Sequence, residues 1–272
     1  MGSRSNPWDL EVGLSSVELS EMRPIGTGMH CELVTRGAIG DREVERTLRS
    51  VGRVARHHGI DATARVRLTA APCVDGPVLA QVNVRFREGP VRVQVGGPSG
   101  FIATFVAERL DRQIARIAAG DAMRIWPDPA RPALASITEP RPIVRRKYYE
   151  LLRGDPMTAA SAMDAMDYDA YLYTDAETGE DATVYWAGPT GVRLARQHRV
   201  DPPRSNPLPL SMNPHPAPLL TDTEAADRLC RYGLPFVFFT DPGDKRGRLL
   251  YRRYDGDLAL VAPAATERGD GS

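Results

Sequence analysis

The chain has 272 residues with 35 basic and 35 acidic side chains, so its formal net charge is zero. That length allows more than one domain and a sizeable core, while no run approaches the roughly 18 apolar residues of a membrane span. The charge is unevenly spread: residues 29–119 hold 14 arginines, no lysine and 9 acids, whereas residues 155–272 hold 12 basic and 18 acidic groups. A basic front and an acidic rear favour a polyanion as partner of the front alone.

Residues 1–28 lack the continuous apolar core of a signal peptide and read as a disordered tail. Residues 29–35 read as a short strand. Asp41 then caps a helix running to about residue 58, where Gly59 ends it. Three strands with period-two alternation follow. Val66 and Leu68 alternate with Arg65 and Arg67; Val82, Val84 and Phe86 with Gln81, Asn83, Arg85 and Arg87; Val91, Val93 and Val95 with Arg92 and Gln94. Such alternation means a sheet with one buried and one wet face. A second helix over about 99–118 completes a β-α-β-β-β-α domain at 29–119, with both helices on the apolar face of the sheet.

Residues 120–154 read as a proline-rich linker ending in the basic stretch Arg145-Arg146-Lys147. Beyond it the chain repeats itself. Residues 155–195 align without a gap on 221–261 at an offset of 66, so that Ala159-Ala160 falls on Ala225-Ala226, Thr174-Asp175 on Thr240-Asp241 and Tyr185 on Tyr251. The first copy opens with Asp155-Pro156, an N-cap followed by proline at the first helical position. The second opens with Thr221-Asp-Thr-Glu224, a capping box. Each copy continues as three strand-like runs joined by polar, glycine-bearing turns. The expected organisation is a first module at 155–198, a proline-rich spacer at 199–218, a second module at 219–263 and a short tail at 264–272. The fold class is α+β.

The helix at 41–58 carries the sharpest chemical signal. Arg42, Arg46, Arg49, Arg53 and Arg56 step by 4, 3, 4 and 3 residues and so form one stripe, opposite Val44, Leu48, Val51 and Ala55. Surface helices ordinarily mix signs to gain i,i+4 pairs. Five aligned arginines repel one another unless an anion neutralises them, as a phosphate backbone does. Arg109, Arg112 and Arg116 repeat the theme on the second helix, and Arg65, Arg67, Arg85, Arg87 and Arg92 add charge on the sheet. Cations on several sides suit folded RNA rather than one groove of a duplex. The wet sheet face has no aromatics on which single strands would stack.

Other features point away from catalysis. Cys31, Cys73 and Cys230 lack zinc or redox spacing and read as reduced thiols of a cytoplasmic protein. The acidic run 175–181 lacks the spacing of a calcium loop and reads as a hairpin turn. His57-His58 reads as a cationic helix end. No phosphate-cradling loop or nucleophile constellation is present, so neither an enzyme nor a metal or cofactor is expected.

Two stretches carry a resemblance. The run 109–116, with Arg109, Arg112, Gln113 and Arg116, resembles the second helix of the ribosome hibernation factors (protein Y, hibernation promoting factor). The run 251–260, Tyr-Arg-Arg-Tyr-Asp-Gly-Asp-Leu-Ala-Leu, resembles the C-terminal module of their long form. The paired modules and the run Met163-Asp-Ala-Met166-Asp-Tyr168-Asp are most similar to a mycobacterial, dormancy-associated branch. The resemblance implies a cytoplasmic, ribosome-associated factor that binds small-subunit rRNA and ribosomal proteins in the mRNA/tRNA channel. It would inhibit translation and preserve idle ribosomes under stress, hypoxia or dormancy. It also implies that Arg109, Arg112 and Arg116 contact rRNA, with the 41–58 stripe alongside.

Long-form members carry one C-terminal module, which pairs with that of a second molecule and joins two ribosomes; this chain carries two. A unit of about 40 residues needs a partner to bury its core. Phe236 and Phe238 alternate with Val237 and Phe239, so both faces of that strand are apolar. The expectation is an intramolecular pseudo-dimer on single ribosomes, paired through Leu172, Tyr173, Tyr185, Phe236, Phe238, Phe239, Tyr251, Leu258 and Leu260. The alternatives are a homodimer that couples ribosomes, and a stress regulator whose tandem tail docks on a non-ribosomal protein.

Overall fold

The computed structural model describes residues 18–25, 29–71, 76–87, 89–120, 123–124, 126–128, 131–132, 137–188, 191–204 and 209–264. Cys73 and most of both expected tails lie outside the described residues. The chain divides into two compact units. The first comprises Met1–Arg124, Asp128–Ala133 and Asp164–Asp167; the second comprises Ile125–Pro127, Leu134–Met163 and Tyr168–Ser272.

The first unit contains β1 (Glu18–Pro24), β2 (His30–Arg36), α1 (Asp41–His57), β3 (Ala64–Ala70), β4 (Val78–Phe86), β5 (Gly89–Gly97) and α2 (Ile102–Ala119). Its sheet runs β1-β2-β3-β4-β5 in space. Only the β2–β3 pair is parallel, and α1 is the crossover that a parallel pair requires. The alternating valines face inward against both helices. Val66, Val82 and Val93 meet Val44, Leu48 and Val51 of α1 and Ile102, Val106, Leu110 and Ile114 of α2 in one core. Two details differ from expectation. Gly40, not Asp41, holds the N-cap of α1 and makes no side-chain cap; Asp41 and Glu43 sit in the first turn, where their charge suits the helix dipole. Residues 18–24 of the expected tail form an edge strand on β2. Residues 20–24 are all exposed, so no alternation marks them and main-chain pairing holds the strand.

The second unit contains β6 (Ile143–Tyr149), β7 (Arg153–Gly154), α3 (Pro156–Ala165), β8 (Ala170–Asp175), β9 (Asp181–Trp186), β10 (Val192–Arg196), β11 (Leu210–Met212), α4 (Asp222–Arg231), β12 (Phe236–Thr240), β13 (Gly247–Arg252) and β14 (Leu258–Pro263). The last residues of α3 and the turn after it, 164–167, belong to the first unit. Both helix starts are capped as the sequence requires. Thr158 N–H donates to the Asp155 carboxylate at 2.7 Å, and this bond holds that carboxyl below its usual range. Thr221 and Glu224 close a reciprocal capping box.

Two sheets form, β11-β10-β9-β8-β7 and β12-β13-β14-β6. The expected linker and spacer are therefore not merely connections: each supplies a strand. β6, which precedes the first helix, pairs in parallel with β14; β11, which precedes the second, pairs in parallel with β10. Past an irregularity between Leu258 and Ala259 the registers match at the offset of 66: Arg193 opposes Ser211 as Ala259 opposes Arg145, and Leu194 opposes Met212 as Leu260 opposes Arg146. Arg153 likewise opposes Thr174 as Leu219 opposes Thr240. Each lead strand thus completes the sheet of the other copy. β6 was illegible as a strand because it is an edge strand, mostly exposed and basic, the usual way of protecting an open edge.

The 251–260 stretch is a structural hairpin. Arg252, 2 % exposed, donates to the carbonyls of Gly256 and Ile137 at 3.1 and 2.8 Å, Arg253 pairs with Asp255, and Gly256 takes φ +84°.

Candidate nucleic-acid interface

The α1 stripe projects as its spacing dictates. Arg42, Arg46, Arg49, Arg53 and Arg56 are all exposed. None forms an ion pair with a carboxylate among the described residues. Arg49 donates to the Glu45 carbonyl at 3.4 Å and Arg53 to the Ser50 hydroxyl at 3.2 Å. Four of the five line an open groove of about 750 Å³, joined by Arg23 from β1 and bounded by Pro24, Ile25 and Thr104. Among the described residues Glu45 is the one carboxylate on its wall. Sequence reading missed Arg23 because it lay in the expected tail.

Gly52 sets the groove's geometry. An added Cβ there would lie 2.5 Å from the Ile25 carbonyl oxygen, so glycine lets the 24–25 segment lie directly on α1. Gly→Ala within a helix ordinarily gains up to about 1 kcal/mol, but a backbone clash of this size costs about 1–3 kcal/mol. Gly52→Ala is therefore expected to lower the melting temperature, and a raised one would show that the segment yields freely.

The other expected arginines divide. Arg65, Arg85 and Arg87 are exposed, Arg67 and Arg92 half-buried. Arg65 pairs with Glu32 at 2.8 Å, Arg87 donates to the Ala118 carbonyl at 3.0 Å, and Arg92 to the Gln94 amide oxygen at 3.0 Å. On α2, Arg112 is exposed, but Arg109 and Arg116 turn into a network of acids. Arg109, 5 % exposed, meets the Asp167 carboxylate at 2.9 Å, and Arg116 meets Asp164 at 2.6 Å. Arg124 joins Asp164 at 2.6 Å and Asp128 at 3.2 Å, while Arg131 reaches Asp167 at 3.3 Å. Gln94 N–H, on the edge strand β5, donates to Asp167 at 3.1 Å. Burial pushes the Asp167 carboxyl up, against the downward pull of Arg131, Arg109 and Arg124. In this conformation Arg109 and Arg116 serve an internal network, and the open cationic surface is that of α1. No local pattern signals this network, because 109–131 and 164–167 meet only through the fold.

The remaining candidates are placed as follows. His58 Nε2 lies 2.8 Å from Asp111 and ties α1 to α2; ligand atoms of His57, His58 and Asp111 fall within 4.8 Å of one another. Asp175 at the start of the acidic run is buried against Arg196 at 2.7 Å. Cys31 and Cys230 are free and buried, and burial pushes the Cys31 thiol up to about 11.

Of the expected pairing residues, Leu172, Tyr185, Phe236, Phe238 and Tyr251 gather in one apolar cluster with Leu151, Ala170, Ala195, Ala217, Leu249 and Val261. That cluster draws on both sheets. All of these members except Leu249 fall into equivalent pairs at the offset of 66, such as Leu172 with Phe238, Ala195 with Val261 and Tyr185 with Tyr251. Phe239, Leu258 and Leu260 instead face α4, with Ala225 and Leu229. Tyr173, the equivalent of Phe239, is fully buried and lies outside the shared cluster. Strand alternation accounts for the split: adjacent residues on β8 and β12 point to opposite faces.

A model of the family described as "Sigma 54 modulation/S30EA ribosomal protein C terminus" matches residues 138–194, a span that begins just before β6. Two curated proteins, each called "Dormancy associated translation inhibitor" and each from a strain of Mycobacterium tuberculosis, are 47% identical to the chain over 243 residues, covering 86% of it and 89% of their own length.

Proposed function

The chain belongs to the family of the dormancy associated translation inhibitors, and on that premise we propose that it is a ribosome-associated, cytoplasmic inhibitor of translation that binds rRNA of the small subunit. The observation that carries this reading is the α1 stripe: five exposed arginines, four of them walling a groove with a single carboxylate among the described residues. An array of that kind is held apart by its own repulsion until polyanionic phosphates neutralise it. Arg112, Arg85 and Arg87 extend the positive surface, as a site seated within folded RNA requires.

The tail is read as a self-contained pair. Each lead strand lies in the sheet of the other copy, and the apolar faces that a lone module would leave open meet in a shared cluster. A chain that fills its own pairing surface has none left to join a second ribosome-bound copy, so it idles single ribosomes. Pelleting purified small subunits with the full chain at two salt concentrations tests the RNA reading. Co-pelleting that weakens steeply with salt is expected, and its absence at low salt would remove the ribosomal reading.

A further inference from the structure

The two copies meet around positions that are equivalent in the repeat but opposite in chemistry. Asp181, at the start of β9, is the counterpart of Gly247, at the start of β13. Asp181 is 2 % exposed, and its carboxylate accepts from Arg246 Nε at 2.7 Å, from the Arg246 guanidinium again at 3.1 Å and from Gly247 N–H at 2.8 Å. A Cβ placed on Gly247 would fall 2.5 Å from the Asp181 Cβ. The counterpart of Arg246 is Glu180, which is turned the other way, onto the N–H groups of His198 and Arg199 at 2.9 and 3.2 Å. A second asymmetry adjoins the first. Gln197 donates to the Thr240 hydroxyl at 3.2 Å and to the Lys245 carbonyl at 2.9 Å, and its counterpart is Pro263, which has no donor to return.

We infer that Glu180-Asp181 and Arg246-Gly247 form a pairing code by which each module accepts the unlike module and rejects a copy of itself. The inference rests on the reading of the tail as a pair of modules. The physical reason is a two-fold one: residues near the axis of a paired interface face their own equivalents. Two first modules would bring two Asp181 side chains together with overlapping Cβ atoms, and Glu180 in place of the arginine. That means buried like charges without a counter-ion. Two second modules would set Gly247 against Gly247 and leave both Arg246 groups without their acid. Only the unlike pair fills the space and neutralises the charge. The partner this surface fits is therefore a module with arginine and glycine entering its second strand. Within one chain the tether supplies that partner at high effective concentration. A single-module relative lacking the arginine–glycine pair is excluded.

Two full-length variants test the code in trans. Asp181→Arg faces its own Arg246, and Arg246→Glu faces its own Asp181, so each alone is expected to lose the cooperative melt of the tail. Mixed in equal amounts, both contacts between positions 181 and 246 are again between opposite charges. Native mass spectrometry is then expected to find a one-to-one complex of the two variants, absent from either alone. Variants that self-associate as readily as they mix, or that ignore each other, overturn the code. Should either variant fail to fold, the milder cycle of Asp181→Asn and Arg246→Gln decides. A coupling of roughly tenfold or more in the unfolding constant is expected, and additive losses overturn the proposal. The mass of the wild-type chain separates this from the reading beneath it. A wild-type dimer with the coupling intact moves the pairing between chains and keeps the code. A monomer with additive losses keeps internal pairing and discards the code.

Discussion

Replacing Arg46, Arg49 and Arg53 together by Ala is expected to weaken binding to small ribosomal subunits on the order of a hundredfold, at about 1 kcal/mol for each lost charge-assisted contact. The same change is expected to flatten the dependence of binding on salt. Each phosphate contact removed lowers the slope of log K against log salt by roughly 0.7–0.9, so three lost contacts remove about two units. These side chains are exposed, make no ion pair with a described carboxylate and sit opposite the core face of α1, so the fold has no need of them. The unfolding midpoint is therefore expected to hold. Filter binding across a salt series measures both effects. Unchanged affinity and slope would make the stripe ordinary solvated surface.

Phe238→Ala is expected to cost about 3–5 kcal/mol, the range for removing a buried aromatic ring. Phe238 is 8 % exposed and packs in the cluster drawn from both sheets, beside Leu172, Leu249 and Val261. Its ring also lies 3.1 Å from the point where a Cβ on Gly247 would stand, so the void would open beside the Asp181–Arg246 pair. A loss of this size takes a large share of a typical domain's total stability. Calorimetry of the full chain should then register the destabilisation in both modules, because the lead strands bind each sheet to the other copy. If only the second module loosens, the two copies do not fold as one unit.

Much of the first unit was legible because its pattern is amphipathic. Val82, Val84 and Phe86 alternate with polar neighbours, and Val44, Leu48, Val51 and Ala55 keep to one side of α1, so both strand and helix follow from the spacing of apolar residues alone. The 66-residue repeat was equally plain. What escaped reading were elements without an apolar face. β1 is exposed along 20–24, β6 is a basic edge strand, and β11 is three half-buried residues in a proline-rich spacer. Their place is set by main-chain pairing, which leaves little trace in side-chain pattern.

The interface divides along the same line. The α1 stripe was visible because helical periodicity alone places it. The fate of Arg109 and Arg116 depended on Asp164 and Asp167, about 50 residues away in sequence, and no local pattern carries such a contact. The resemblance of the 109–116 run marked those arginines for RNA, whereas the fold commits Arg109 to a buried acid. Asp181 read as part of a hairpin turn and proved to be a junction between the copies, because its equivalent is glycine.

The most direct test is sedimentation of intact ribosomes with the full chain through a density gradient. The expected result is the protein in the single-ribosome peak, released by added salt, with no ribosome-dimer peak. A dimer peak that depends on this protein, or its absence from every ribosomal fraction, would contradict it.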